Sequence, residues 1–508
     1  MPGLAVKPER TEVNPTKRKN ALMVLGTASH VGKSMITAGL GRIFAEDGYR
    51  VAPFKAQNMS LNSAATFDGG EIGRAQALRA EACRVAACVE MNPVLLKPST
   101  DTGAQVILLG KIWGQVSASD YHTRRVEQFF PEVLSAYKRL SNYYDLMLLE
   151  GAGSPVEINL WPRDFVNLRP ARLVNAGIVL VADIDRGGVF AQVKGTLDLL
   201  PDEDRRRVLG IIVNRFRGET ALFEEGVSML EAMTGLPVLA VVPYLDHGLD
   251  EEDRPLRIPV NTRAPADMLW VGALLSPAVA NTEDLAPLLA EPDVHLTWIT
   301  DPRLVSEQDL LVLPASKATV ADLVRHTASG MAVAVAEAYA AGCWVLGLCG
   351  GYQMLGEHLE DAGGTEGGPK TWPGLGLLPI DTIFESAKRT RQQHCVSAWP
   401  LSGRPLAGYE IHHGQTRSTG RSEPLLLDAG AELGCRRDRV VGCYLHGLLA
   451  DDEWRAAFLN VVREGRGRAA EPVRIADPVD LRLDRWARHL RRSFRGDAWR
   501  RLLSHVTK

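Results

Sequence analysis

The sequence predicts an α/β protein built from two doubly wound domains, each a mostly parallel sheet covered by helices. Three observations carry this. Strand-like apolar runs alternate with helical stretches along most of the chain. A glycine-rich turn follows the first of these runs and opens a helix. The length of 508 residues exceeds what one hydrophobic core fills.

The first series begins with ALMVLG at 21–26, a turn, and a helix over 33–47. RVAPFK at 50–55 follows, then YDLMLLEGAG at 144–153, AGIVLVADID at 176–185, VLGIIVNRF at 208–216 and PVLAVVPY at 237–244. Helical stretches separate them, so residues 20–245 form the first domain. Residues 246–267 are acidic, then proline-rich and without periodicity, which reads as a linker. The second domain, 268–464, contains MLWVGALL at 268–275, VHLTWIT at 294–300, DLLVLPAS at 309–316 and CWVLGLC at 343–349. GYEIHHG at 408–414 and VVGCYLHG at 440–447 read as later strands. Residues 465–508 are an arginine-rich tail with helical spacing, read as a solvated amphipathic helix. Residues 1–19 are polar, without an apolar centre, and read as a disordered lead-in, not a signal peptide.

Bulk properties exclude several classes. A net charge of −3 gives no footprint for nucleic acid or an anionic membrane. No apolar stretch is long enough to span a bilayer. The seven cysteines, among them Cys83, Cys88, Cys395 and Cys435, are scattered and form no CxxC pair. This argues against a zinc site or disulfide framework and for a reducing cytoplasm.

GTASHVGKS, residues 26–34, lies between strand and helix. In that context it is a P-loop, whose backbone N–H groups and helix end surround phosphate oxygens. Thr27, Gly32, Lys33 and Ser34 are the expected nucleotide contacts, with Lys33 on the β/γ-phosphates of ATP and Ser34 on Mg²⁺. Glu150 in LLEGAG ends a later strand and is either a second Mg²⁺ ligand or a solvated carboxylate. Lys55 either faces the same crevice or lies along the surface. Asn214 either recognises adenine or is an ordinary turn asparagine. Asp183 and Asp185 face metal or substrate, or terminate their strand.

Gly347-Leu348-Cys349-Gly350-Gly351 has the form of a nucleophile elbow, with the thiol held on a sharp strand-to-helix turn. The helix end favours thiolate and supplies backbone N–H groups to an oxyanion. His446 in YLHG, 97 residues downstream, is the expected proton acceptor. Together they attack the side-chain amide of glutamine, form a thioester and release ammonia. Gly350, Gly351, Ala315 and Ser316 are the expected oxyanion and glutamine-site residues, Ser316 doubling as a possible helix cap.

LGLCGGYQMLG with YLHG resembles the class I, triad-type glutamine amidotransferases. Most of these carry His-x-Glu, but here the second residue after His446 is Leu448. That lack is typical of the cobyrinate amidase branch, and Glu410 is a possible substitute. Over about residues 20–460 the chain resembles the cobyric acid synthase family. The motifs are GTASHVGKS, KAQNMSLNS (55–63), EGAGSPVEINL (150–160), VADIDRGGVFAQ (181–192), LPASK (313–317), LGLCGGYQMLG and GYEIHHG. The five residues between Gly26 and Gly32 match the longer P-loop of dethiobiotin-synthetase-like proteins, while Ala315 and His30 depart from the usual residues.

The resemblance implies a P-loop NTPase-like sheet joined to a class I glutamine amidotransferase-like domain. It also implies ATP, Mg²⁺, glutamine and a corrinoid as ligands. The implied reaction amidates carboxylates b, d, e and g of adenosylcobyrinic acid a,c-diamide through acyl phosphates. The alternatives are cobyrinate a,c-diamide synthase, a cell-wall precursor amidase, and a MinD-like regulatory ATPase with a degenerate amidase module.

Overall fold

In the computed structural model the described residues are 20–98, 103–249, 258–263, 265, 267–366 and 369–506. The lead-in at 1–19 and linker residues 250–257, 264 and 266 lie outside them. The chain forms two compact units: one takes residues up to Ser60, from Thr66 to 249, and from Asp477 on, while the other takes Leu61–Ala65 and 258 to Ala476.

In the first unit, strand β1 (Asn20–Gly26) leads through the glycine-rich loop into helix α1 (Lys33–Glu46). Strand β2 (Val51–Phe54), helix α2 (Arg74–Ala82), and strands β3 (Leu146–Glu150), β4 (Gly177–Asp183), β5 (Val208–Phe216) and β6 (Val238–Pro243) complete its frame. The sheet is parallel, in the order β6-β5-β4-β1-β3-β2. Its strands read as continuous apolar runs because both faces are covered. Leu22 and Val24 enter one core, Met23 and Leu25 the other. The stretch between β2 and β3, read from sequence as helical, also holds a small sheet of Gln57–Met59, Val94–Pro98, Gly103–Leu108 and Lys111–Ser117.

The second unit repeats the scheme. Strands β7 (Leu269–Leu274), β8 (Val294–Ile299), β9 (Leu310–Leu313), β10 (Trp344–Leu348) and β13 (Val440–Cys443) run parallel in the order β8-β7-β9-β10-β13. Helix α3 (Thr319–Ala328) precedes β10, and the short helix α4 (Gly350–Met354) follows it. Beyond β13 the sheet turns mostly antiparallel and includes the long hairpin of β11 (Ile380–Ser397) and β12 (Pro405–Ser418). Residues 258–262, read as linker, run beside β8: Ile258 is buried, and Val260 forms a bridge with Trp298.

The arginine-rich tail is not a solvated appendage, and that expectation is corrected. Helices α5 (Val479–Ser493) and α6 (Ala498–Val506) belong to the first unit. The α5 stripe Leu483, Trp486, Ala487 and Leu490 is buried with residues of α1. Such i, i+3, i+4, i+7 spacing makes a face that must be covered. Buried Arg42 of α1 pairs with Asp480 at 2.5 Å and Asp484 at 3.2 Å. The arginines on the other face made the segment look solvated. Phe494 bridges Ala240 along β6. Among the described residues, no helix is long and apolar enough to cross a membrane.

Candidate active sites

The first site lies where β1, β2, β3 and β5 end, at the carboxyl edge of the parallel sheet, where open α/β sheets bind ligands. Gly32 ends the loop with φ 90°, a left-handed conformation suited to glycine. A Cβ there would lie 2.2 Å from Asn214 Nδ2. Lys33 Nζ donates to the carbonyls of Ala28 at 3.0 Å and Gly153 at 2.9 Å, which ties it across the loop. Ser34 Oγ donates to Glu150 Oε1 at 3.0 Å. Lys55 is buried, not spread on the surface, and its Nζ lies 3.1 Å from the same carboxylate oxygen. Thr27 Oγ1 donates to Gln192 Oε1 at 3.2 Å.

Arg79 of α2 was not singled out from sequence. Its Nε lies 2.6 Å from Glu150 Oε2, and its Nη2 donates to Ser34 Oγ at 2.6 Å. Nothing in RAQALRAEA marks it, because only the fold carries α2 to the loop. Asn214 Nδ2 donates to the Val31 carbonyl at 2.9 Å and so braces the P-loop. A small recess of about 20 Å³, lined by Gly32, Met35 and Asn214 among others, lies beside the loop. Asp183 pairs with Arg215 at 3.0 Å, and Asp185 with Arg217 at 2.7 Å.

Ser34 and Glu150 present two hard oxygen donors within hydrogen-bond reach of each other, a donor set suited to Mg²⁺. Lys55 and Arg79 balance the Glu150 charge in the same place.

The second site is built on the turn from β10 into α4. Cys349 has φ 51° and ψ −107°, a strained conformation for a residue with a side chain. Its N–H donates to the Cys443 carbonyl at 2.9 Å, which pins the turn to β13. A Cβ at Gly350 would lie 2.8 Å from Ser316 N, and one at Gly351 1.9 Å from the Leu313 carbonyl oxygen. These glycines therefore let the elbow approach the loop after β9.

That loop is held firmly. Ser316 Oγ donates to buried Asp322 at 2.6 Å, and Ser276 Oγ donates to the same oxygen at 2.7 Å. The Ala315 carbonyl accepts from Ala280 N–H at 2.9 Å. Ser316 Oγ also accepts from Ala318 N–H at 3.0 Å, a local turn at the start of α3.

His446 is buried and interacts electrostatically with Cys349, whose Sγ donates to the Ile411 carbonyl at 3.6 Å. Its Nδ1 lies 2.7 Å from Asp284 Oδ2, while Gly447 N–H donates to Asp284 Oδ1 at 2.9 Å. The Tyr409 ring stacks on the imidazole at 4.9 Å between centroids. Burial pushes the His446 pKa down, but the Asp284 carboxylate outweighs it and holds the imidazole at about 10. Asn281 Oδ1 accepts from Ser63 N–H at 3.2 Å, and its Nδ2 donates to Tyr409 Oη at 3.2 Å.

Asp284 was missed from sequence. It sits in a short turn, Thr282–Leu285, 162 residues before the histidine. Glu410, weighed from sequence for that role, instead pairs with Arg391 at 3.0 Å. Gln353, one helical turn after Cys349 in the motif already quoted, accepts from Thr319 Oγ1 at 3.1 Å and donates to Tyr444 Oη at 3.2 Å. Its spacing from the nucleophile was the available signal.

Two family models match the chain: CobQ/CobB/MinD/ParA nucleotide binding domain over residues 22–256, and CobB/CobQ-like glutamine amidotransferase domain over 271–454. A protein named cobyric acid synthase from Nostoc sp. (strain PCC 7120) is 42% identical over 462 residues, 90% of this chain and 94% of that one. Namesakes from Geobacillus thermodenitrificans and Klebsiella pneumoniae are each 43% identical. They cover 92% and 93% of this chain, and 95% and 94% of their own. Joined to the two sites, these matches identify an ATP-dependent amide ligase that uses glutamine, and the chain belongs to the cobyric acid synthase family.

Proposed function

We propose that this chain amidates carboxylates b, d, e and g of adenosylcobyrinic acid a,c-diamide in cobalamin biosynthesis. Each step consumes one ATP and one glutamine. The observation that carries the reading is the buried His446–Asp284 pair coupled to the Cys349 elbow, in a chain that also holds a phosphate loop.

A carboxylate does not accept ammonia directly, because its oxygen is a poor leaving group. Transfer of the ATP γ-phosphoryl group to a carboxylate oxygen gives an acyl phosphate and ADP. Ammonia then attacks the acyl carbon, phosphate leaves, and the amide remains. Lys33 neutralises the β/γ-phosphates, with Thr27 and the Gly32 backbone lining the cradle. Asn214 presents its amide oxygen to an exocyclic amine of the base, its nitrogen being engaged with Val31. Lys55 and Arg79 hold the Glu150 carboxylate beside Ser34. Ser34 and Glu150 would hold Mg²⁺, which supplies charge neutralisation for the phosphates when bound.

At the other site Cys349 and His446 share one proton that resides on the imidazole beside Asp284, so sulfur attacks the glutamine side-chain carbonyl as thiolate. Gly350 N–H and a backbone N–H of the Ala315–Ser316 loop stabilise the oxyanion. The protonated imidazole returns its proton to the departing nitrogen as ammonia leaves. His446 then activates water, which hydrolyses the thioester to glutamate and frees the thiol.

The test is incubation with ATP, glutamine and adenosylcobyrinic acid a,c-diamide, followed by mass spectrometry. Four added amides are expected. An unchanged corrinoid in the presence of active glutaminase would refute the acceptor assignment.

A further inference from the structure

Segment Leu61–Ala65 belongs to the second unit, although the residues on both sides of it, to Ser60 and from Thr66, belong to the first. It lies outside the matched amidotransferase domain, which begins at residue 271. Two hydrogen bonds tie it into the second unit. Ser63 N–H donates to Asn281 Oδ1 at 3.2 Å, and Gln392 Nε2 donates to the Ala65 carbonyl at 3.4 Å. We propose that Asn281 is a positioning residue of the glutamine-hydrolysing centre. Held by the Ser63 backbone, its amide fixes the Tyr409 hydroxyl and with it the ring that lies on His446. This rests on the glutaminase reading above and deepens it.

Three observations support it. First, the surroundings select one orientation of the amide. Ser63 N–H can only donate, so it takes the amide oxygen. The nitrogen is thereby turned to Tyr409 Oη at 3.2 Å and lies 3.3 Å from His446 Nδ1. Nδ1 already donates to the Asp284 carboxylate, so the amide proton goes to the tyrosine. In the reverse orientation the amide oxygen would compete with Asp284 for the Nδ1 proton. Ser63 N–H would then be buried against an NH₂ group, at the cost of an unmade hydrogen bond.

Second, Tyr409 is joined to the histidine by ring and backbone together. Its ring stacks on the imidazole with 20° between the planes. Its N–H donates to the His446 carbonyl at 3.2 Å, and its carbonyl accepts from His446 N–H at 2.9 Å. Its hydroxyl donates to Glu283 Oε1 at 3.4 Å. The hydroxyl is bracketed between Asn281 and Glu283, so a shift there would tilt the ring against the imidazole.

Third, Asn281 does not spend its side chain on its own backbone. It precedes the turn Thr282–Leu285 that carries Asp284, a place where asparagine is a favoured cap, yet no such cap bond forms. Its φ of 49° and ψ of 45° are left-handed, which asparagine adopts more readily than most residues. One buried residue thus sets the entry to the Asp284 turn and sends its amide toward the histidine.

The experiment uses the full chain and measures glutamine hydrolysis and, separately, ATP-dependent amidation with ammonia. Asn281→Gly removes the amide and suits the left-handed backbone. It should lower kcat for glutamine hydrolysis about 10- to 100-fold, as misplacement of a reacting group does, and leave KM within about twofold. Ammonia-dependent amidation should persist. Tyr409→Phe keeps the ring and loses the hydroxyl, so it covers the case of an unstable glycine variant and should also lower kcat. The double variant should be no worse than Asn281→Gly alone, because both act through one bond. Ser63→Pro lacks the N–H that locks the amide and should lower kcat, while Ser63→Ala keeps it and should lose less.

Unchanged kcat in folded Asn281→Gly or in Tyr409→Phe would overturn the proposal. So would a loss confined to KM, which would place Asn281 on the substrate and not behind the histidine. Additive losses in the double variant would overturn it as well, since they would separate Asn281 from Tyr409. A wild type that hydrolyses no glutamine would instead remove the glutaminase reading itself.

Discussion

Asp284 Oδ2 lies 2.7 Å from Nδ1 of His446, and the other oxygen of the same carboxylate accepts from Gly447 N–H. The carboxylate is therefore held by the imidazole through one oxygen and by the backbone of the next residue through the other. Under the proposed function it does for this imidazole what the glutamate of His-x-Glu does from two residues away. Asp284→Asn should lower glutamine-dependent amidation by about 10²–10⁴-fold, the range seen when a triad carboxylate is neutralised. Activity with high ammonia should persist, since the phosphate site is untouched. The sign of the pH effect follows from the raised pKa of about 10. The pair adds stability that is fully present below about pH 6.5 and is lost as pH rises through about 10. The variant's stability deficit should thus be largest at acid pH and fade above pH 10. His446 should titrate nearer its ordinary value by NMR.

Cys349→Ala removes the sulfur and nothing from the first unit. It should abolish hydrolysis of glutamine while leaving ammonia-dependent, ATP-dependent amidation within about twofold, because alanine tolerates the site without new bulk. Equal loss with both nitrogen sources in a folded variant would mean that the labour is not divided this way. Steady-state rates with each source check it.

Local motifs were legible in the sequence because their chemistry is local. Gly32, Lys33 and Ser34 form one turn, and Gly350 and Gly351 follow Cys349 directly. The parallel strands were legible because burial on both faces makes them continuously apolar. Partners joined only by the fold were not. Asp284 reaches His446 across 162 residues, and Arg79 reaches Ser34 across 45. The role of α5 was hidden for another reason. Its arginines face outward, so composition suggested solvent, whereas the Leu483–Trp486–Leu490 stripe is what the first unit buries.

Lys33→Ala should lose amidation with glutamine and with ammonia alike, by about 10²-fold or more, because phosphoryl transfer serves both. Glutamine hydrolysis measured alone should survive. Lys33 Nζ also ties Ala28 to Gly153, so the variant should loosen the loop. Lys33→Arg keeps the charge but not the compact ammonium, and should recover little. Substantial amidation by the alanine variant would remove Lys33 from the phosphate role.

Glu410 gives a stability test separate from catalysis. It is buried in β12, with Arg391 Nε at 3.0 Å and Arg389 Nε at 3.4 Å. Burial pushes its carboxyl up, yet His412 and Arg391 together outweigh that and hold it at about 2 against an ordinary 4.5. Because the folded value is the lower one, this cluster adds stability above about pH 4.5 and loses it as pH falls through about 2. The ceiling on that contribution is about 3 kcal/mol. Arg391→Gln should cost about 1–3 kcal/mol at pH 7, since it leaves a buried carboxylate with weaker partners. The cost should shrink toward zero near pH 2, where wild-type Glu410 is itself protonated. Urea unfolding followed by tryptophan fluorescence at both pH values measures it. A deficit that stays constant with pH would assign the loss to packing of the arginine side chain and not to its charge.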